Sequence, residues 1–229
     1  ALSHLNLWFK VAVLAAACAE STILLISSGP AISVNEPSQD RKAELRTRLL
    51  DSRAGLHPHQ RLRTDRQICS HLLRLLADRD YVDVAAFMPF RGEPDLTPAM
   101  EALSEAGRRI WVPVVEGPAM SFRRWWPGRE MLPNRFGIPE PTEGSECDPE
   151  RLELVLTPLV AFSGNGTRLG MGAGFYDKTF AFARNNPSAG PWMVGAAYQF
   201  QQVDSLPSEP WDVPLGGVIT ERGLQVFRE

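Results

Sequence analysis

The chain reads as an α/β protein, a three-layer sandwich around a mostly parallel central sheet. Short apolar runs with strand character recur at residues 82–88, 109–114, 154–162, 192–198 and 218–220. Segments with apolar residues at helical spacing lie between them, the alternation that builds a parallel sheet covered by helices. A glycine-rich loop, residues 166–178, follows the third run and leads into a helical stretch. Strand, loop, helix is the order in which such folds present a phosphate site.

Residues 40–53 carry Leu45, Leu49 and Leu50 at helical spacing among Arg and Glu, which predicts an amphipathic helix. Lys42 and Arg46 stand four apart and share one face, where two like charges repel unless an anion or solvent screens them. A second helix is predicted over 59–77 from Leu62, Ile68, Leu72, Leu73 and Leu76. The buried strand 82–88 exits through the turn-rich stretch Pro89-Phe90-Arg91-Gly92-Glu93-Pro94-Asp95. A helix over 97–106 and a strand over 109–114 follow. Residues 120–125 alternate as a strand does, Pro127-Gly128 turns the chain, and polar residues 145–151 read as a loop. Residues 154–162 read as one buried strand, and 179–184 start a helix beyond the glycine loop.

No repeat or second linker is visible, so residues 40–229 are expected to form a single domain, preceded by an extension at 1–39. In that extension the apolar runs 11–17 and 22–26 and the small residues around Cys18 resemble a secretory signal. That reading is disfavoured: Lys10 is the only strong cation near the front, and Glu20 leaves neither run as long as a bilayer span. The expectation is a cytoplasmic monomer with no membrane contact. A net charge of −3 over 229 residues argues against a general nucleic-acid binder. The pairs Arg61/Arg63 and Arg108/Arg109 read as solvated faces. Cys18, Cys69 and Cys147 lie far apart with no metal-ligand or disulfide spacing.

Chemistry concentrates in Arg168-Leu169-Gly170-Met171-Gly172-Ala173-Gly174-Phe175-Tyr176-Asp177-Lys178. Glycines at every second position let backbone N–H groups turn toward an anion. Arg168 and Lys178 add charge at the two ends, and Asp177 suits a hydrated Mg²⁺ beside phosphate oxygens. The string is neither a Walker loop nor a dinucleotide fingerprint, and glycines alone are as readily a tight connection. No nucleophile is visible. The histidines lie near the front or around the second helix, and Ser163 lacks a nucleophile-elbow setting. Trp125 and Trp126 serve either as core or as a stacking face.

The string resembles the signature of the 5-formyltetrahydrofolate cyclo-ligase family, also called 5,10-methenyltetrahydrofolate synthetases. Further matching pieces are Lys42-Ala43-Glu44-Leu45-Arg46, residues 88–95, residues 136–141 and Trp211-Asp212-Val213-Pro214. The resemblance runs from about residue 41 to 226 and implies a fold like that of sugar-phosphate isomerases and CoA transferases. It also implies a reaction in which ATP and Mg²⁺ drive conversion of 5-formyltetrahydrofolate, polyglutamylated or not, to 5,10-methenyltetrahydrofolate, with release of ADP and phosphate. The formyl oxygen attacks the γ-phosphoryl group, N10 attacks the activated carbon, and phosphate leaves.

Carried over residue by residue, the resemblance assigns Lys42, Arg46 and the loop Arg168, Leu169, Gly170, Met171, Gly172, Ala173, Gly174, Phe175 and Tyr176 to ATP. It assigns Met88, Glu93 and Met171 through Phe175 to the folate, and Asp177 and Asp212 to the metal. Arg168 and Lys178 are the expected catalytic cations. An ionised Glu93 suits the donor-rich edge of a pterin because it accepts two N–H bonds. Phe175 and Lys178 stand where the family favours Tyr and Arg, and Ser163 and Gly216 where many relatives carry acids. Two other readings stay open: a sugar-phosphate enzyme on a related fold, and a non-catalytic module that binds folate or nucleotide.

Overall fold

The computed structural model describes residues 36–117, 119–186 and 190–227; the signal-like stretch lies outside them. Helix α1 (Glu36–Ala54) precedes α2 (Pro58–Ala77), whose start is set by the His57 side chain accepting from the His59 N–H at 3.3 Å, with Pro58 in the first turn. The chain then runs through β1 (Asp83–Ala85), α3 (Thr97–Glu105), β2 (Arg109–Glu116), β3 (Ala119–Trp125), β4 (Met131–Pro133), β5 (Pro139–Pro141) and β6 (Glu146–Cys147). After these come β7 (Leu154–Pro158), β8 (Ala161–Ser163), β9 (Arg168–Leu169) and α4 (Phe175–Thr179). The remaining strands are β10 (Trp192–Ala196), β11 (Gln202–Val203), β12 (Gly217–Thr220) and β13 (Gly223–Val226).

The central sheet has eight strands in the order β13-β12-β10-β7-β1-β2-β3-β6. The run β12, β10, β7, β1, β2 is parallel; β13, β3 and β6 join antiparallel at the edges. Side chains alternate across the pleat. Val84, Ile110, Leu154, Leu156 and Val194 join Ile68, Leu72 and Leu76 of α2 in one core. On the other face Ala85, Trp111, Val155, Met193 and Val218 pack with Phe180 and Leu215. Fully burying each such aliphatic side chain stabilises by about 1.5–3 kcal/mol, so both faces must be covered, and the expected three-layer α/β architecture holds.

Chain order locates the crevice. The chain begins its parallel sheet at β1, steps outward to β2, and returns to β7 on the other flank of β1. The strand order therefore reverses between β1 and β7, where open α/β sheets hold ligands beyond the carboxyl ends of the strands.

The stretch 154–162 is two strands. β7 belongs to the central sheet, and β8 pairs with β9 and β11 in a separate three-stranded sheet. Between them the carbonyls of Leu159 and Val160 accept from Gln201 Nε2 at 3.0 and 2.9 Å instead of from a neighbouring strand. The helix expected from residue 179 begins earlier, at Phe175, and ends in a separate 3₁₀ turn, Ala181–Ala183. The polar stretch 145–151 contains β6 and the 3₁₀ turn Pro149–Arg151. Trp125 is buried in the α2-side core. Among the described residues, no helix is long and apolar enough to cross a membrane.

Candidate active site

Three segments converge at the carboxyl ends of β1 and β7. The first is α1, whose buried Leu49 packs with Val160, Ala161 and Leu169. That packing turns the Lys42/Arg46 face toward the glycine loop: Arg46 Nε donates to the Gly170 carbonyl at 2.9 Å, and Lys42 Nζ lies 3.1 Å from Glu209 Oε1.

The second segment is the loop itself. Gly172 and Gly174 have φ of +104° and +67°, a region costly for side chains with a Cβ. Gly174 caps α4, its carbonyl accepting from the Lys178 N–H at 3.0 Å. Among the described residues none of the N–H groups of 170–174 donates a hydrogen bond, and Met171, Gly172 and Ala173 are exposed, so these donors are free for an anion. Lys178 Nζ donates back to the Ala173 carbonyl at 3.0 Å and closes the loop. The Leu169 side chain is buried, which leaves only its backbone to a ligand.

Arg168, nearly buried, donates from Nη2 to Asp177 Oδ1 at 2.6 Å and from Nη1 to the Val213 carbonyl. The same Asp177 oxygen accepts from the Val213 N–H at 3.0 Å, which draws in the third segment. There Asp212 Oδ2 accepts from the Glu209 N–H at 2.8 Å in a tight turn. Both hydrogen bonds of Asp177 use Oδ1, leaving Oδ2 toward solvent or a cation.

Glu93 stands on the opposite side of the crevice, at the end of a turn after β1. It is buried; Oε2 accepts from the Phe90 N–H at 3.0 Å, and Oε1 lies 3.8 Å from Arg53 Nη2. Burial pushes its carboxyl from 4.5 up to about 7, with Arg53 and the Phe90 N–H pulling it back. Tyr176, at the start of α4, feels the Glu93 charge; burial and that charge raise its phenol, and Arg168 opposes them. Tyr176 thus stays protonated. Met88 is half-buried against the α2-side core, and Phe175 meets Phe136 edge to face at 6.2 Å.

The structure thus brings Lys42, Arg46, Arg168, Asp177 and the Asp212 turn around the glycine loop, and the Glu93 charge is felt at Tyr176. Three residues were not singled out for the site: Arg53, Glu209 and Arg61. Arg53 recurs on one helical face with Lys42 and Arg46, but that spacing does not reveal that its partners are carbonyls. Arg61 is not the solvated cation expected. It donates to the Gly92 and Arg53 carbonyls at 2.7 and 2.5 Å, because Gly92, at φ +74°, lets the backbone approach where a Cβ would lie 2.7 Å from Arg61 Nη1. Arg108 is likewise engaged, with the Leu76 carbonyl, while Arg109 pairs with Asp83 but stays exposed, as expected. Ser163 and Gly216 are held in backbone bonds: Ser163 N–H to the Thr167 carbonyl at 3.0 Å, Gly216 N–H to that of Met193 at 2.8 Å.

The 5-formyltetrahydrofolate cyclo-ligase family model matches residues 38–221. A 5-formyltetrahydrofolate cyclo-ligase of Haemophilus influenzae is 35% identical over 184 residues, covering 78% of this chain and 97% of that protein. The protein of the same name from Escherichia coli K12 is 36% identical over 173 residues, 73% of this chain and 93% of its own length. The NMR structure of Aquifex aeolicus 5,10-methenyltetrahydrofolate synthetase matches with a TM-score of 0.70 at 33% identity, covering 82% of this chain and 93% of that one. On match, identity and fold together, this chain belongs to the 5-formyltetrahydrofolate cyclo-ligase family.

Proposed function

We propose that this chain converts 5-formyltetrahydrofolate to 5,10-methenyltetrahydrofolate at the expense of ATP, releasing ADP and phosphate. The observation that carries the reading is the junction of Arg168, Asp177 and the Val213 backbone beside five free loop amides. It sets a cation, a carboxylate and a row of N–H donors side by side.

No strong base or nucleophile is required of the protein. The loop amides, Lys42 and Arg46 hold the polyphosphate, and Arg168 reaches the phosphoryl group that moves to the formyl oxygen. Lys178 adds charge at the mouth of the loop. Glu93 accepts from the pterin's N–H edge and fixes the ring, while Met88 and the 171–175 backbone border it. N10 then closes on the activated carbon, loses its proton to solvent, and phosphate departs.

The acids fit Mg²⁺. The donors are carboxylate oxygens, and Asp177 Oδ2 accepts no hydrogen bond among the described residues. A cation held by Asp177 and Asp212 would complete its shell with phosphate oxygens and water, the habit of Mg²⁺. Bound there it would neutralise phosphate charge during transfer.

The test mixes the protein, 5-formyltetrahydrofolate, Mg²⁺ and ATP and follows methenyl-folate absorbance together with ADP. Absorbance that rises only with ATP, one ADP per methenyl group, is expected. Ligand binding without turnover would point to the non-catalytic module, and activity on a sugar phosphate without ATP to the isomerase-like alternative.

A further inference from the structure

We infer that Arg53 is a positioning residue for folate recognition, acting through Glu93. It fixes the turn of residues 90–93 and presents the Glu93 carboxylate to the substrate ring. The inference rests on the reading of Glu93 as a substrate contact.

Arg53 has no solvent exposure, whereas Arg41 and Arg48 of the same helix are exposed. Its guanidinium is divided among backbone carbonyls. Nε donates to Arg91 at 2.9 Å, Nη1 to Leu159 at 3.2 Å, and Nη2 to Phe90 at 3.5 Å. One side chain therefore ties α1 to the exits of β1 and β7, the two strands that flank the crevice.

The turn it holds is a costly one. Glu93 N–H closes it onto the Phe90 carbonyl at 3.1 Å, and its central residues, Arg91 and Gly92, have φ of +47° and +74°. Both central residues being left-handed marks a type I′ turn. Arg91 is the only non-glycine described residue in that region. Arg61 completes the hold by taking the Gly92 carbonyl and that of Arg53 itself. All three carbonyls of residues 90–92 are thus claimed by two arginines.

The outcome is a carboxylate aimed without being consumed. Arg53 Nη2 stays 3.8 Å from Glu93 Oε1, a charge contact longer than a hydrogen bond. Among the described residues Oε1 accepts no hydrogen bond, so it is left to a ligand donor. The charged and titratable groups facing Glu93 are Arg53 from α1 and Tyr176 from α4, with Arg61 behind the turn; Arg53 supplies the nearest positive charge.

The test compares Arg53→Met, Arg53→Lys, Glu93→Gln and the double variant Arg53→Met/Glu93→Gln, with KM for each substrate, kcat and melting temperature. Arg53→Met is expected to raise KM for 5-formyltetrahydrofolate about tenfold while KM for ATP stays within about twofold. Arg53→Lys keeps the charge but not the planar fork and is expected to raise it by about threefold. In the double variant, loss of Arg53 adds little to loss of Glu93, since the two act as one unit. Equal effects on both substrates, effects that multiply with Glu93→Gln, or an unchanged folate KM would overturn the inference. A normal folate KM in Glu93→Gln alone would instead remove Glu93 from the site and the inference with it. Should Arg53→Met fail to fold, Arg53→Lys and Arg53→Lys/Glu93→Gln carry the same comparison.

Discussion

Strand β1 has a carboxylate–arginine pair near each end, and the two are built to opposite purposes. At its amino end Asp83 accepts from Arg109 Nε at 2.7 Å, from Arg109 Nη2, and from the Trp111 indole N–H at 2.8 Å. Those bonds hold the Asp83 carboxyl below the usual range, the Arg109 hydrogen bond contributing most. Beyond the carboxyl end, Glu93 has one backbone donor, an arginine at 3.8 Å, and a carboxyl raised to about 7. Asp83 is satisfied and has nothing left to offer a ligand. Glu93 is under-satisfied at the protein's own expense, and such perturbed groups cluster where function is located. The satisfied pair and the under-satisfied one thus lie at opposite ends of one central strand, and the proposed recognition end is the one where strand order reverses.

The largest effect should come from the glycine-loop side of that recognition end. Arg168→Met is expected to lower kcat by about 10³, the scale of an arginine that stabilises phosphoryl transfer, with melting little changed. Steady-state rates beside a melting curve check both halves. Asp177→Asn should lower turnover by about 10² and raise the Mg²⁺ concentration needed for half-maximal rate, because the metal loses a charged ligand; a Mg²⁺ titration reads this directly. Chelating divalent cations should abolish ATP-dependent product formation and leave the circular dichroism spectrum unchanged.

The pH dependence of stability separates the two ends by sign. Glu93 has a folded pKa above its ordinary value, so the neutral form is favoured in the fold. Its contribution is fully favourable below about 4.5 and is lost as pH rises toward about 7. The loss is on the order of 3 kcal/mol, from a shift of about 2.5 pH units (about 7 minus 4.5) at about 1.4 kcal/mol each. Asp83, with a depressed pKa, contributes stability above its ordinary value of 3.8 that disappears as pH falls through the folded value. Denaturant unfolding of Glu93→Gln against the parent should therefore show a difference that moves in favour of the variant between pH 4.5 and 7. For Asp83→Asn the cost should shrink only in acid. The smallest effect is at Trp111→Phe, which removes one hydrogen bond to Asp83 and should cost about 1 kcal/mol of stability with unchanged kinetics.

What could be read from residues alone depended on whether a feature is local. Helical spacing in 40–53 and 59–77 located α1 and α2 to within a few residues, and the glycine spacing pointed to a loop whose N–H groups 170–174 donate no hydrogen bond among the described residues. The break between β7 and β8 was hidden because its cause is Gln201, some 40 residues on, whose amide takes the carbonyls that would have continued the strand. The β4–β5 hairpin was missed because both strands contain proline, which cannot donate to a ladder. It is shaped instead by Asn134 Oδ1 accepting from the N–H groups of Phe136 and Ile138 at 2.8 and 3.1 Å. Arg61 read as surface charge because its partner is a turn distant in sequence, whereas Arg109 is exposed as expected even while it binds Asp83. Arg53 shares the spacing of Lys42 and Arg46, yet nothing local distinguishes a cation buried against distant carbonyls from one that stays beside the glycine loop.

The most direct test of the division of labour along β1 is kcat/KM for 5-formyltetrahydrofolate, measured side by side for Glu93→Gln and Asp83→Asn at saturating ATP. A fall of about tenfold or more in Glu93→Gln, with Asp83→Asn within about twofold of the parent despite a lower melting temperature, is the predicted result. Equal falls in both, or a fall confined to Asp83→Asn, would contradict the placement of the folate site at the carboxyl ends of β1 and β7.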